Sequence, residues 1–210
     1  MSWKNDQVSE GETRKILELA EKCLKVEGDF VEFGCYKGDT SLLLADLLVE
    51  KPVEKSWERL CEKCGKKVEK SVGGKAKRRL WIYDSFEGLP EKGSQDESVM
   101  GVLFRGGELA VTKREVKMRF LKAGLPVPVI KKAWFGDLTE ADLPEKIAFA
   151  FLDGDFYESI RDSLKLVVPR MGEDGVLVVH DYNNPALPGV KKAVDEKKEI
   201  LDGVFEVIPL

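Results

Sequence analysis

The chain has 210 residues, of which 43% are hydrophobic and 34% are charged, and its formal net charge is −4 at pH 7. This length is enough for one domain with a substantial core. No apolar run approaches the roughly 20 residues that cross a bilayer, and the first residues lack the apolar core of a signal peptide. The acidic balance gives no electrostatic reason to expect nucleic acid as a partner. The four cysteines are typical of reduced thiols, so we expect a cytoplasmic protein without membrane contact.

Short apolar runs alternate with amphipathic stretches along the chain. This alternation predicts an α/β fold, a Rossmann-like, doubly wound, mostly parallel sheet with helices on both faces, in a single domain spanning 1–210. The predicted strands are Phe30–Phe33, Leu80–Tyr83, Val127–Ile130, Ile147–Leu152, Val176–Val179 and Val204–Ile208. The predicted helices are 10–26, 40–50, 112–123, 157–168 and 188–200. We expect the sheet edge beyond the last strand to be open or covered by a partner subunit. A homo-oligomer is therefore one of the predicted partners.

Residues 51–79 differ in composition from the rest of the chain, with eleven Lys or Arg against four Glu. We predict a basic surface insertion between the helix that follows the first strand and the second strand. Such charge usually marks a solvated face, and RNA or phosphate binding is the alternative. Cys61 and Cys64 form half of a zinc site and would need two further ligands from elsewhere.

The turn after the first strand has the pattern E-x-G-x-x-x-G, from Glu32 through Gly34 to Gly38. Glycines allow the backbone to turn tightly and to approach a ligand without a Cβ in the way. The dinucleotide fingerprint is G-x-G-x-x-G, and its missing middle glycine disfavours pyrophosphate binding. The alternative is an ordinary turn from strand to helix.

Asp84 ends the second predicted strand and begins the stretch Asp84-Ser85-Phe86-Glu87-Gly88-Leu89-Pro90. A carboxylate at the end of a strand is suited to accept hydrogen bonds from ribose hydroxyls, and a turn-capping aspartate is the alternative. We expect Phe86 to lie near the same ligand. Asp137, beyond the third strand, is a candidate acceptor for an adenine amino group, although a turn aspartate explains it equally well.

The fourth predicted strand delivers Asp153 and Asp155 to its carboxyl end. Asp155 has a structural explanation, because Asp155 and Glu158 have the spacing of a helix N-cap and its partner three residues on. Asp153 has no such explanation and is the better ligand candidate.

The fifth predicted strand ends at His180, the only histidine of the chain, and Asp181. Adjacent parallel strands lie about 4.8 Å apart, so these two side chains can converge with Asp153 on one cation. Carboxylates suit Mg²⁺, while an imidazole also tolerates Mn²⁺ or a softer metal. Without a metal, we expect the two carboxylates to repel each other, so Asp153→Asn should stabilise the metal-free protein. The alternative is that the two aspartates cap turns and His180 forms hydrogen bonds between strands.

Five stretches occur in order and together resemble the macrocin O-methyltransferase family, class I enzymes that methylate sugar hydroxyls on macrolide antibiotics. The resemblance covers roughly residues 10–200, apart from 51–79. The five stretches are Val31–Gly34 with Gly38, Asp84–Pro90, Leu152–Ser159, His180–Tyr182 and Pro188–Glu196.

The resemblance implies a methyltransferase that uses S-adenosylmethionine and acts on a small-molecule acceptor. It implies that the cofactor lies at the first turn with Asp84 on its ribose. It also implies a divalent metal, usually Mg²⁺, at Asp153, His180 and Asp181, which are then the candidate catalytic residues. Members often carry two adjacent acids where this chain has His180 and Asp181. A metal on the acceptor hydroxyl would lower its pKa, and a base would remove its proton; His180 can be that base only if it is not a ligand.

Two other classes of function remain open on the sequence. A nicotinamide-dependent oxidoreductase is disfavoured by the glycine pattern and by an acid about 50 residues beyond the glycines instead of about 20. A non-catalytic scaffold would keep the fold and bind nucleic acid or a protein partner through residues 51–79.

Overall fold

The computed structural model describes residues 7–49, 78–100, 104–197 and 206–209. Most of the predicted basic insertion, including Cys61 and Cys64, lies outside these residues. The predictions of a surface insertion, of zinc binding and of RNA binding there therefore stay predictions.

Strands and α-helices alternate through the described part of the chain, except that two 3₁₀ turns connect the strand Val129–Lys132 to the strand Ile147–Leu152. The strands are β1 (Asp29–Phe33), β2 (Leu80–Asp84), β3 (Val129–Lys132), β4 (Ile147–Leu152), β5 (Met171–Val179) and β6 (Glu206–Pro209). The helices are α1 (Glu10–Lys22), α2 (Asp39–Leu48), α3 (Lys113–Ala123), α4 (Tyr157–Val167) and α5 (Pro188–Asp195). Single 3₁₀ turns follow α1 and α4, so the helical segments predicted to end at 26 and 168 finish in a tighter turn.

The six strands form one parallel sheet in the order β3-β2-β1-β4-β5-β6. The predicted doubly wound α/β fold is confirmed. The chain reverses its direction of winding between β1 and β4, which is where ligands bind in sheets of this kind. β6 pairs in parallel with β5 and is the last strand at that edge of the described sheet.

The two faces of the sheet carry separate hydrophobic cores. On one face, Phe30 and Phe149 pack with apolar residues of α1, α2 and α3. On the other face, Val31 and Leu177 pack with apolar residues of α4 and α5. Because successive side chains of a strand point to opposite faces, β1 and β4 must be apolar almost throughout, and β4 is buried along its whole length.

Arg78 and Arg79, the last two residues of the predicted basic segment, belong to the domain itself. Arg78 donates hydrogen bonds to the carbonyls of Cys23 and Val26, after α1. The backbone N–H of Arg79 donates to Asp29 at the start of β1. These hydrogen bonds anchor the residues just before β2 to the start of β1 and to the segment after α1.

Candidate active site

A cavity lies over the carboxyl ends of the central strands, on both sides of the point where the winding reverses. Its lining includes side chains that follow β1, β2, β4 and β5, together with residues beyond β3. The predicted site residues that line it are Glu32, Gly34, Asp84, Asp153, His180 and Asp181. Gly38, Phe86 and Asp137 are not among its lining residues.

Gly34 is required by the backbone around it. Its φ is +83°, and a Cβ added there would lie 1.9 Å from the carbonyl oxygen of Asp153. The backbone N–H of Gly34 donates to Tyr83, and that of Asp153 donates to Phe33. The glycine therefore lets the ends of β1, β2 and β4 approach one another, in addition to bordering the cavity. A larger residue would disturb the sheet itself, so Gly34 is required by the fold whether or not a ligand approaches it.

Gly38 and Phe86, two other predicted cofactor residues, contribute to the packing of the fold. Gly38 has φ +79° at the N-terminus of α2, and a Cβ there would lie 3.2 Å from a methyl group of Val116 on α3. Phe86 is buried in the hydrophobic core that contains apolar residues of α1, α2 and α3. Asp137 is exposed in a 3₁₀ turn after β3.

Asp84 holds the turn after β1 in place. Its Oδ2 accepts from the backbone N–H of Cys35 at 2.9 Å and of Tyr36 at 3.3 Å, and its Oδ1 accepts from Phe86 N–H at 2.7 Å. The turn-capping role is thus present in the structure. A ribose hydroxyl would use the lone-pair positions of the carboxylate that these amides leave open.

Asp153, His180 and Asp181 converge at the ends of β4 and β5. The backbone N–H of His180 donates to Leu152, which holds the two strand ends in register. One potential ligand atom from each of the three residues lies within 4.8 Å of the other two. The structure thus brings the three predicted side chains together, and binding of a metal by them stays a prediction.

The imidazole of His180 lies between carboxylates. Its Nδ1 is 3.1 Å from Oδ1 of Asp153 and 3.0 Å from Oδ2 of Asp181, and Oε1 of Glu12 lies 3.7 Å from Nε2. Burial by itself lowers the pKa of His180, but Asp153 and Asp181 more than offset this and raise the pKa to about 11. An imidazolium that contacts both carboxylates offsets the repulsion expected between them, so the structure disfavours the expectation that Asp153→Asn stabilises the metal-free protein.

Asp155 also lines the cavity, and the sequence prediction for it is wrong. The N-cap of α4 is Phe156, without a side-chain capping bond. Asp155 has φ +59°, in the left-handed region, whereas an N-cap residue is normally extended. Burial, followed by the charges of Asp153 and Asp181, raises the pKa of Asp155 well above its usual range.

The amide that Asp155 was expected to cap is bound by a distant residue. Asp96 accepts a hydrogen bond from the N–H of Tyr157, the first residue of α4, at 2.7 Å, and it is 1% exposed. Sequence spacing gives no signal for such a cap, because Asp96 and Tyr157 are 61 residues apart.

Two aromatic residues that sequence reasoning did not assign to the site border the cavity beyond β3. Trp134 is 36% exposed, and Phe135 meets the ring of Phe33 edge to face, with ring centroids 5.1 Å apart. A flat apolar wall of this kind suits an aromatic base. Their position directly after an apolar strand was the signal available in the sequence.

A loop from the segment before α3 closes another side of the cavity. Phe104 and Leu109 line it. Leu89 exchanges two backbone hydrogen bonds with this loop, accepting from Gly107 and donating to Glu108 at 2.9 and 2.8 Å.

Residues 68–205 match the family model of macrocin-O-methyltransferase (TylF). The chain belongs to the macrocin-O-methyltransferase family. The match covers more than half of the 210 residues, and it includes Asp84 and the residues that converge after β4 and β5.

Two curated relatives illustrate this membership of the macrocin-O-methyltransferase family. One is the 8-demethyl-8-(2,3-dimethoxy-alpha-L-rhamnosyl)-tetracenomycin-C 4'-O-methyltransferase of Streptomyces olivaceus, 30% identical over 162 residues, covering 75% of this chain and 54% of the relative. The other is the demethyldecarbamoylnovobiocin O-methyltransferase of Streptomyces niveus, 28% identical over 207 residues, covering 93% of this chain and 70% of the relative. The chain thus spans between about half and about two thirds of the length of these relatives.

A solved structure supports the fold. The O-methyltransferase NovP superposes with a TM-score of 0.69 at 27% identity, over 91% of this chain and 72% of that one. Among the described residues, we find no helix with the length and apolar character needed to span a membrane.

Proposed function

We propose that this protein is an S-adenosylmethionine-dependent O-methyltransferase that methylates the hydroxyl of a sugar or another small molecule, assisted by a divalent metal. The observation that carries the proposal is the convergence of Asp153, His180 and Asp181 in one cavity of a chain that belongs to the macrocin-O-methyltransferase family. The two curated relatives are named for methyl transfer to oxygen. This membership disfavours the nicotinamide-dependent alternative.

The cofactor would lie along the turn after β1. The carboxyl groups of Glu32 and Asp84 line this part of the cavity, and they offer acceptors for the ammonium group and the ribose hydroxyls of S-adenosylmethionine. Trp134 and Phe135 offer a surface for the adenine ring. Three predicted cofactor residues do not line the cavity: Gly38, Phe86 and Asp137. Direct contact between them and the cofactor stays a prediction.

The three convergent groups fit a divalent cation. Two carboxylate oxygens and an imidazole nitrogen within 4.8 Å of one another are a suitable donor set for Mg²⁺ or Mn²⁺. Asp153, His180 and Asp181 would hold the ion, and His180 would have to give up its Nδ1 proton to do so. When bound, such an ion supplies Lewis acidity, which lowers the pKa of an acceptor hydroxyl and orients it.

The remaining walls would orient the acceptor and exclude water. Phe104 and Leu109 offer apolar surface in the wall of the cavity. In-line displacement requires the acceptor oxygen to lie behind the methyl group, so a rigid enclosure contributes by restricting its orientation. A sugar hydroxyl as the acceptor, a cytoplasmic location and a homo-oligomer stay predictions.

Calorimetry with S-adenosylhomocysteine and with NAD tests the cofactor, and transfer of a labelled methyl group to candidate glycosides tests the reaction. We expect binding of S-adenosylhomocysteine alone. Asp181→Asn should abolish transfer while binding stays close to wild type, because the metal acts on the acceptor. Asp46→Asn, at an exposed position on α2, is the matched control and should transfer normally. Full transfer in excess chelator would contradict the metal-assisted mechanism, and binding of NAD instead would contradict the proposed activity.

A further inference from the structure

The two ring nitrogens of His180 lie in different surroundings. Nδ1 lies 3.1 Å from a carboxylate oxygen of Asp153 and 3.0 Å from one of Asp181. Nε2 is buried and has no hydrogen-bond partner among the described residues. The carboxylate on this side of the ring is that of Glu12, whose Oε1 lies 3.7 Å from Nε2. Because buried polar atoms are rarely left without a partner, the unpaired Nε2 requires an explanation.

Glu12 is the third residue of α1, and a capping box fixes its position. Its Oε2 accepts a hydrogen bond from the backbone N–H of Ser9 at 3.0 Å, and its own backbone N–H donates to the hydroxyl of Ser9 at 3.3 Å. The box uses one oxygen of the carboxylate, and the other oxygen is the one that lies near His180. A glutamine would complete the same box. Helix capping therefore explains one carboxylate oxygen of Glu12 and leaves the second available to the imidazole.

The distance between Nε2 and Oε1 is within reach of a hydrogen bond. It exceeds a good N–H···O distance by roughly 0.7 Å. The side chain of Glu12 is 38% exposed, so it has room to move by this amount. In the metal-free protein the imidazolium contacts the two aspartates through Nδ1. A metal on that side requires a neutral ring whose single proton is on Nε2, and this proton then needs an acceptor.

We propose that Glu12 is a positioning residue of the metal site: its carboxylate accepts a hydrogen bond from Nε2–H of His180, which leaves Nδ1 as the nitrogen that binds the ion. This inference rests on the metal binding in the proposed function. The proton of Nδ1 passes to solvent when the ion binds, and the proton of Nε2 stays in place. A histidine ligand commonly donates its other N–H to a carboxylate, which fixes its tautomer and the orientation of its ring. Aspartate has no tautomer to select, so this requirement is particular to His180.

NMR of the imidazole nitrogens tests the tautomer directly. His180 is the only histidine of the chain, so protein labelled with ¹⁵N-histidine reports on one ring. In excess Mg²⁺, we expect the ring proton of the wild type on Nε2. Glu12→Gln should move it toward Nδ1, because the single amide oxygen is held by Ser9 N–H and the NH₂ group then faces Nε2 as a donor. A role in helix capping alone would leave the tautomer unchanged.

The affinity for Mn²⁺, measured from the EPR signal of the free ion, is a second readout. Glu12→Gln should weaken binding by roughly tenfold. Glu10→Gln is the matched control, because it removes the same charge from the same turn of α1, but the Glu10 side chain is 93% exposed and pairs with Arg14. It should bind Mn²⁺ like the wild type. In a His180→Asp background, which has no tautomer to select, Glu12→Gln should change the affinity little.

The outcomes separate this inference from the proposed function. A wild type that binds neither Mn²⁺ nor Mg²⁺ would overturn the metal-assisted mechanism together with this inference. Metal binding with the ring proton on Nδ1, or equal Mn²⁺ affinities of the wild type and Glu12→Gln, would overturn the inference alone. An equal loss of affinity in the His180→Asp background would also overturn it, because Glu12 would then act through its charge. If Glu12→Gln does not fold, the tautomer of the metal-bound wild type decides.

Discussion

The Nδ1 atom of His180 lies 3.1 Å from Oδ1 of Asp153, across the boundary between β5 and β4. Its other close carboxylate is that of Asp181, at 3.0 Å. In the absence of a metal, the imidazolium supplies the positive charge between the two acids. A cation and the proton on His180 would therefore compete for the same position, which makes metal affinity dependent on pH.

Asp153→Asn should destabilise the metal-free protein, by about 1–3 kcal/mol, because it removes one partner of a mostly buried charged hydrogen bond. The pKa of His180 is raised from 6.5 to about 11, so the stabilisation is fully present below pH 6.5 and is lost as the pH rises through 11. The melting temperature of both proteins in excess chelator, at pH 6 and pH 10, measures this. A higher melting temperature for the variant at pH 6 would restore the repulsion hypothesis.

Gly34→Ala should lower the stability of the whole domain by more than about 2 kcal/mol, because the Cβ overlaps the backbone of Asp153 and the φ is left-handed. Gly11→Ala is the control in α1, where a Cβ meets nothing within 4 Å. It should stabilise the protein by about 0.5–1 kcal/mol. Urea unfolding measures both effects. A Gly34→Ala protein of normal stability would contradict the close approach of β1 and β4.

Glu32→Gln should stabilise the ligand-free protein at pH 8 relative to the wild type, by on the order of 2–4 kcal/mol. The pKa of Glu32 is raised from 4.5 to about 8. The neutral acid is therefore compatible with burial below pH 4.5, and the wild type loses this advantage as the pH rises through 8. The difference in melting temperature should shrink toward pH 5. Glu21→Gln, at an exposed position on α1, should show no such dependence.

Trp134→Ala should weaken binding of S-adenosylhomocysteine about tenfold, since base–aromatic contacts are worth roughly 1–3 kcal/mol. The side chain is 36% exposed in the free protein, so the melting temperature should change little. Leu121→Ala is the control, because Leu121 is 52% exposed on α3 and does not line the cavity. Equal affinities for the two variants would place the adenine ring elsewhere.

The fold and the position of the candidate site could be predicted from the sequence. Buried parallel strands must be nearly continuous apolar runs, and such runs end where the backbone turns, so Asp84, Asp153 and His180 could be placed at strand ends. The order of the motifs then indicated the family. Helix ends were predicted less well: α5 ends at Asp195 instead of 200, because local propensity does not fix where packing stops.

Only the tertiary structure determined the hydrogen-bond partners, the burial and the protonation of these side chains. Spacing suggested Asp155 as the cap of α4, but the amide is bound by Asp96, 61 residues before Tyr157 in the chain. Sequence also suggested two repelling carboxylates, whereas His180 lies between them. The sequence determines which groups arrive at the ends of the strands, because that depends on local periodicity. Their partners, burial and protonation depend on distances of a few ångströms between separate elements, and these exist only once the sheet has formed.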